Sequence, residues 1–172
     1  MTIPIQWLPE KISFRAYQEL FSIDFLFKRA IFNSIFVSGM ITFITVMSAA
    51  MGAYVFAKID FRGREKLFSL YLATMMIPGQ VTMIPNYLVL KYLGLLNSFT
   101  GLMLPSIFNA FATFMLRQNM KSIPDAYIEA AELDGASQIT IFFRIVLVLS
   151  KPVLATLAVI TFMGAWNDYL WP

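Results

Sequence analysis

Long apolar runs separated by short charged segments set the pattern of this chain. Residues 31–57, 67–90 and 92–116 contain no charged side chain, and a fourth run, 152–172, is interrupted only by Asp168. A helix needs about 20 apolar residues to cross the hydrocarbon of a bilayer, so each run is long enough. Strands of a membrane barrel would show segments of about ten residues with alternating polarity, which these runs lack. The pattern predicts an all-α integral membrane protein, a multi-span helical bundle with four spans at about 31–57, 67–90, 97–116 and 152–172. Small residues recur every four positions in the first run, as Ser48 and Gly52 and as Ala49, Ala53 and Ala57. That spacing lets helix backbones approach closely in lipid. In the second run Pro78 and Pro85 interrupt the helical pattern, with Gly79, Gln80 and Asn86 beside them. Broken helices at membrane depth are tolerated where the backbone faces protein or a water-filled cavity. Pro78, Gln80, Pro85 and Asn86 are therefore candidates for lining a translocation path, with a kink that only improves packing as the alternative.

The charged segments orient the runs. Residues 58–66 hold four basic side chains and residues 117–151 hold four more, whereas the turn between the second and third runs has only Lys91. The positive-inside bias places the first two segments in the cytoplasm and the Lys91 turn outside. The chain is expected to be multi-pass in the cell membrane. Residues 1–29, with Lys11, Arg15, Lys28 and Arg29, then fall on the outer side. Phe14, Tyr17 and Phe21 share one helical face there, which predicts a short interfacial helix. An outer, basic flank calls for an earlier span, and the last run reaches Pro172 without a flanking loop. The expectation is a fragment lacking one span at each end.

Composition narrows the chemistry. Of 172 residues, 59% are hydrophobic, 16% aromatic and 13% charged, about half the charge of an ordinary soluble domain; mean hydropathy is +0.70. The net charge of +3 is small and its basic residues flank apolar runs, which suits contact with lipid headgroups rather than nucleic acid. The absence of Cys and His excludes disulfides, thiol chemistry and the common metal sites. No catalytic residue, metal or cofactor is expected. The opening residues lack the basic-then-apolar layout of a signal peptide.

One polar stretch stands out, "YIEAAELDGASQITIFF" at 127–143, with Glu129, Glu132 and Asp134 among only ten acidic residues. Ser122 and Asp125 fit a capping box, and Pro124 sits in the first turn. Asp125 and Glu129 lie toward the positive end of the helix dipole, and Gly135 is placed as a left-handed stop. A helix of about ten residues is predicted, then a turn at 135–137, then an apolar helix running toward the membrane. Such a helix is built for presentation to a cytoplasmic partner; a solvated connector is the alternative.

The stretch "EAAELDG", followed by Ile145 and Leu147, resembles the EAA loop of ABC importer permeases, matching at Glu129, Ala130, Ala131, Gly135, Ile145 and Leu147. Val148 stands where that family has proline. The segments "MMIPGQVTMIPNYLVLKYLGLLNS", "FMLRQNMKSIPDAYIEAA" and "FMGAWNDYLWP" resemble the carbohydrate-uptake branch, in particular the maltose-permease-like second subunit. The resemblance implies a permease subunit of an ATP-driven importer for sugars or oligosaccharides, with no bond chemistry of its own. It implies a second permease subunit as heterodimer partner, a cytoplasmic ATPase dimer and an external solute-binding protein. The coupling surface to the ATPase would be Ala126, Glu129, Ala130, Ala131, Asp134 and Gly135. Glu129 would be the polar contact, Ala130 and Ala131 would allow close approach, and Gly135 would set the turn. Arg117 and Lys121 flank the loop, where pairing with its acids or with lipid phosphates is open to them; the lipid and topology role is the preferred reading. No G-x-x-x-x-G-K-[ST] phosphate loop occurs in the chain, so ATP would be handled by another subunit.

Asn167 and Asp168 complete the pathway candidates. An acid within a span is by default functional, yet Trp166, Tyr169 and Trp171 also suit an outer aromatic belt. The competing class is a self-sufficient secondary transporter or channel. Such a protein should carry internal repeats and intramembrane charges, and apart from Asp168 the apolar runs have none.

Overall fold

A computed structural model describes Phe14, Gln18 and residues 25–169. Apart from Phe14 and Gln18, the interfacial helix expected around residues 13–21 lies outside the described residues, as does Trp171. The chain divides into two units, Met1–Phe36 and Val37–Pro172, and the buried core lies within the second.

The described residues are all-helical, as the charge-free runs predict. The helices are α1 (Phe25–Lys58), α2 (Arg64–Ala73, continued by a 3-10 turn Thr74–Met76) and α3 (Gly79–Tyr92). Then come α4 (Phe99–Met103, with a 3-10 turn Leu104–Ser106), α5 (Ala110–Lys121) and α6 (Ala126–Leu133). The last two are α7 (Gln138–Leu149, with a wide π turn at Phe142–Val146) and α8 (Lys151–Trp166).

Only the first run is one unbroken element. Among the described residues Phe27–Lys58 alone is long and apolar enough to cross a membrane without a break. Three bent pairs meet the same test jointly: α2 with α3 at 97°, α4 with α5 at 49°, and α7 with α8 at 79°. The sequence predicts an interruption by proline in the run 67–90 and none in 97–116, and both are broken. At 77–78 the cause is Pro78, which has no N–H and holds Ile77 extended at φ −86°, ψ 116°. Pro85 does not interrupt the helix as expected: α3 runs through it on an exposed face. One proline inside a helix removes one hydrogen bond, whereas Pro78 stands at a terminus where the chain is free to turn.

The second break is sealed by the first span. Thr45 Oγ1 donates to the Ser106 carbonyl at 2.8 Å, and Ser48 Oγ donates to the Ile107 carbonyl. These hydroxyls supply partners for carbonyls exposed where the helix stops, as non-helical backbone in a bilayer requires. Asn109 then caps α5, its Oδ1 accepting from Ala112 N at 2.9 Å. The small-residue stripe makes this approach possible. Ala49, Ala50 and Ala53 are fully buried, and a Cβ on Gly52 would stand 3.4 Å from Thr113 of α5. The third break falls at Ser150, followed by Pro152 in the first turn of α8. The bend therefore forms without the proline that the EAA-family pattern carries at position 148.

The core gathers Ala49, Ala53 and Tyr54 of α1, Leu116 and Met120 of α5, Ile128 of α6, Ile141 and Val146 of α7, and Leu157 of α8. Helix α5 presents Ala112, Thr113, Leu116, Arg117 and Met120 inward. That 3.6-residue stripe carries an arginine at its centre.

Candidate coupling site

Helix α6 has eight residues, Ala126–Leu133, and its end is set by Gly135. Gly135 has φ +79°. Ala136 N donates to the Ala131 carbonyl at 2.9 Å and Gly135 N to the Glu132 carbonyl at 3.0 Å. That pair of bonds is a Schellman stop, so the expected left-handed terminus is present.

The capping box is not formed. Ser122 Oγ donates to the Asn119 carbonyl at 2.7 Å, and Asp125 makes no side-chain cap. The Asp125 carboxylate instead accepts from Lys58 Nζ at 2.6 Å, while the same ammonium donates to the Ile123 carbonyl at 2.6 Å. The buried ammonium offers the carboxylate a bond between two full charges, where a backbone N–H would offer only a dipole. The other acids divide in the same way. Glu132 accepts from Gln138 Nε2 at 2.6 Å, tying α6 to α7, and Tyr54 Oη donates to Gln138 Oε1. Glu129 and Asp134 are exposed.

Two faces result. Ile128 is buried and Ala131 is half-buried, packed on the core. Ala131 lies about one turn from Ile128 and leans to the same inward side, so it is less open than Ala130. The exposed face carries Ala126, Tyr127, Glu129, Ala130, Leu133 and Asp134, with Tyr127 56% and Leu133 89% exposed. Tyr127 and Leu133 were not anticipated from sequence. Their signal was two bulky residues spaced six apart, flanking EAA on the side opposite Ile128.

Arg117 does not face lipid. Its side chain is 4% exposed and its Nη2 lies 2.5 Å from Glu65. Its Nε donates to the Phe56 carbonyl at 3.0 Å, and its guanidinium stands 4.0 Å from the Phe68 ring. The lipid role fails because a headgroup cannot reach a cation enclosed by α1 and α2. Lys121 Nζ also points to Glu65, at 3.7 Å. The basic segment 58–66 and the segment leading into α6 thus lie together at one end of the bundle.

The pathway candidates fall into two groups. Pro78 and Gln80 open α3 and are exposed, as is Pro85, whereas Asn86 is partly buried. Asn167 and Asp168 lie beyond α8, which stops at Trp166. Asn167 Nδ2 donates to the Met163 carbonyl at 2.8 Å, closing its own helix. Trp166 stacks on Phe162 with ring centroids 5.9 Å apart.

The model of the family described as "Binding-protein-dependent transport system inner membrane component" matches residues 47–172. The chain belongs to this family. It is 34% identical over 164 residues to the arabinooligosaccharides transport system permease protein AraQ of Bacillus subtilis, covering 95% of this chain and 58% of that protein. It is 37% identical over 163 residues to the polygalacturonan/rhamnogalacturonan transport system permease protein YtcP of the same organism, covering 95% and 56%. It is 42% identical over 142 residues to the sn-glycerol-3-phosphate transport system permease protein UgpE of Yersinia enterocolitica, covering 83% and 50%. A solved structure of a bacterial ABC transporter involved in the import of the acidic polysaccharide alginate superposes with a TM-score of 0.87 at 32% identity. The match covers 95% of this chain and 57% of that one. The chain thus spans about half the length of the curated relatives it matches. The family match begins within α1 and takes in α6, the buried cations and every bent pair.

Proposed function

We propose that this chain supplies part of the membrane path of an ATP-driven importer for sugars or oligosaccharides. In this reading α6 is the element through which a cytoplasmic ATPase drives it. Work would be shared with a second permease subunit, an ATPase dimer and an external solute-binding protein. The observation that carries the reading is the two-sided construction of α6. Ile128 and Ala131 anchor it and Gly135 stops it, while Ala126, Tyr127, Glu129, Ala130, Leu133 and Asp134 stand outward with nothing of the described chain over them. A solvated connector has no need of an exposed Leu and Tyr beside two alanines; a helix lying in an apolar groove does. The gathering of both basic segments at one end supports a cytoplasmic position for α6. The transported class rests on the relatives' names and on the matched carbohydrate-branch segments.

The test uses the full-length permease expressed with its partners. Ala130→Trp puts bulk on the outward face without touching the core. It is expected to abolish recruitment of the ATPase to membranes and sugar uptake, while membrane insertion and sugar binding by the external protein persist. Retention of both recruitment and uptake would make α6 a connector and end the proposal.

A further inference from the structure

We infer that Lys58 and Arg117 form a two-point clamp that carries movement of α6 into α1 and α2. They are positioning residues for coupling, and the inference rests on the docking role proposed for α6. A helix of eight residues is too short to hold itself, and α6 follows the turn at Ser122–Pro124, where its pull could be absorbed. One cation anchors the chain before that turn, and a second holds the turn itself. On its near side Arg117 of α5 reaches Glu65 at 2.5 Å, the Phe56 carbonyl at 3.0 Å and the Phe68 ring at 4.0 Å. Lys58 holds the Ile123 carbonyl within the turn and Asp125 just beyond it, both at 2.6 Å.

Both cationic side chains are 4% exposed, and a desolvated, multiply bonded cation tolerates little displacement from its partners. Lys58 closes α1, and Glu65 stands in the first turn of α2. The clamp therefore joins the end of α1, the start of α2, the end of α5 and the entry to α6 into one body. Of the helices that it joins, α2 and α5 each belong to a bent pair. Displacement of α6 by a closing ATPase would then move α1 and α2 together instead of flexing the turn at Ser122–Pro124.

The partner acids allow the clamp to be cut without emptying the core, because Asp125 is 73% and Glu65 60% exposed. The experiment places the complete transporter, with full-length permease, in proteoliposomes and measures ATP hydrolysed and sugar taken up on the same sample. Asp125→Asn and Glu65→Gln are expected to keep the wild-type amount of bound ATPase and to lower uptake per ATP about tenfold, within the usual range of coupling between sites. Asp125→Glu, which keeps the charge, is expected to restore the ratio. Lys58→Met combined with Asp125→Asn is expected to be no worse than Lys58→Met alone, since both cut one link.

A purely structural role would lower the yield of assembled complex and scale hydrolysis and uptake together. An unchanged ratio in Asp125→Asn and Glu65→Gln, with Ala130→Trp still blocking recruitment, overturns the clamp and leaves the docking role intact. Retained recruitment and uptake in Ala130→Trp overturns both.

Discussion

Gly135 gives the most direct access to the end of α6. Its φ is +79°, and a Cβ built there meets nothing within 4 Å. Any penalty for a side chain is therefore backbone strain and not a clash. For an L residue, left-handed backbone costs about 1–2 kcal/mol, and Asn is the usual exception. Gly135→Val, a β-branched residue, should feel this cost in full; Gly135→Ala should feel most of it, and Gly135→Asn the least. If the strain is relieved by unwinding, the bonds from Ala136 N to Ala131 and from Gly135 N to Glu132 are lost. The Glu132–Gln138 link to α7 goes with them. A shift of about 1–2 kcal/mol changes the population of the formed helix by a factor of about 5–30.

The assay is co-purification of the ATPase with the full-length permease, titrated with ATPase so that a change in apparent affinity is read rather than all-or-none loss. The expected order of affinity is Gly, Asn, Ala, Val, with Val weakened about 5- to 30-fold. The thermal midpoint of the permease itself should barely move, because α6 contributes only Ile128 to the fully buried core. Equal affinity for Asn and Val would refute the backbone argument, since the two differ chiefly in tolerance of positive φ. Val at the wild-type level would show that the left-handed stop is dispensable.

Other sites give further predictions. Arg117→Met leaves the Phe56 carbonyl without its donor, while Glu65, 60% exposed, is re-solvated; the cost should be about 1–3 kcal/mol, read as a lower thermal midpoint in detergent. Thr45→Val removes the donor to the Ser106 carbonyl and should destabilise by about 1–3 kcal/mol, read as a lower thermal midpoint. Gly101→Ala places a Cβ 2.2 Å from the Leu95 carbonyl oxygen; the neighbour is backbone, so the turn must move, and reduced folded yield is expected. Leu133→Cys and Tyr92→Cys, at positions 89% and 91% exposed, should be labelled from opposite sides of the membrane in the cysteine-free background. Labelling of both from one side would overturn the positive-inside orientation.

The helical class, the runs of 31–57, 67–90, 92–116 and 152–172, the close packing of the Ala49–Ala53 stripe and the stop at Gly135 were all legible in the residues. Each depends on local chemistry: apolar length against bilayer thickness, small side chains at helical spacing, and a backbone angle that only glycine adopts freely. The resemblance of "EAAELDG" pointed to the right family for a similar reason, because that motif is contiguous. What the residues did not disclose depends on which charges meet. Ser122 and Asp125 read as a capping box, yet the carboxylate has a better partner in Lys58, 67 positions away. Arg117 read as a lipid contact because the chain shows it beside Lys121, and only the fold reveals Glu65, Phe56 and Phe68 around it. Ala130 and Ala131 are the same residue type side by side, and only the packing of α6 on the core leaves the first exposed and the second half-buried. Local periodicity fixes what kind of element forms. The partner of a charge and the direction of a face come from helices distant in the chain, and those the tertiary structure decided.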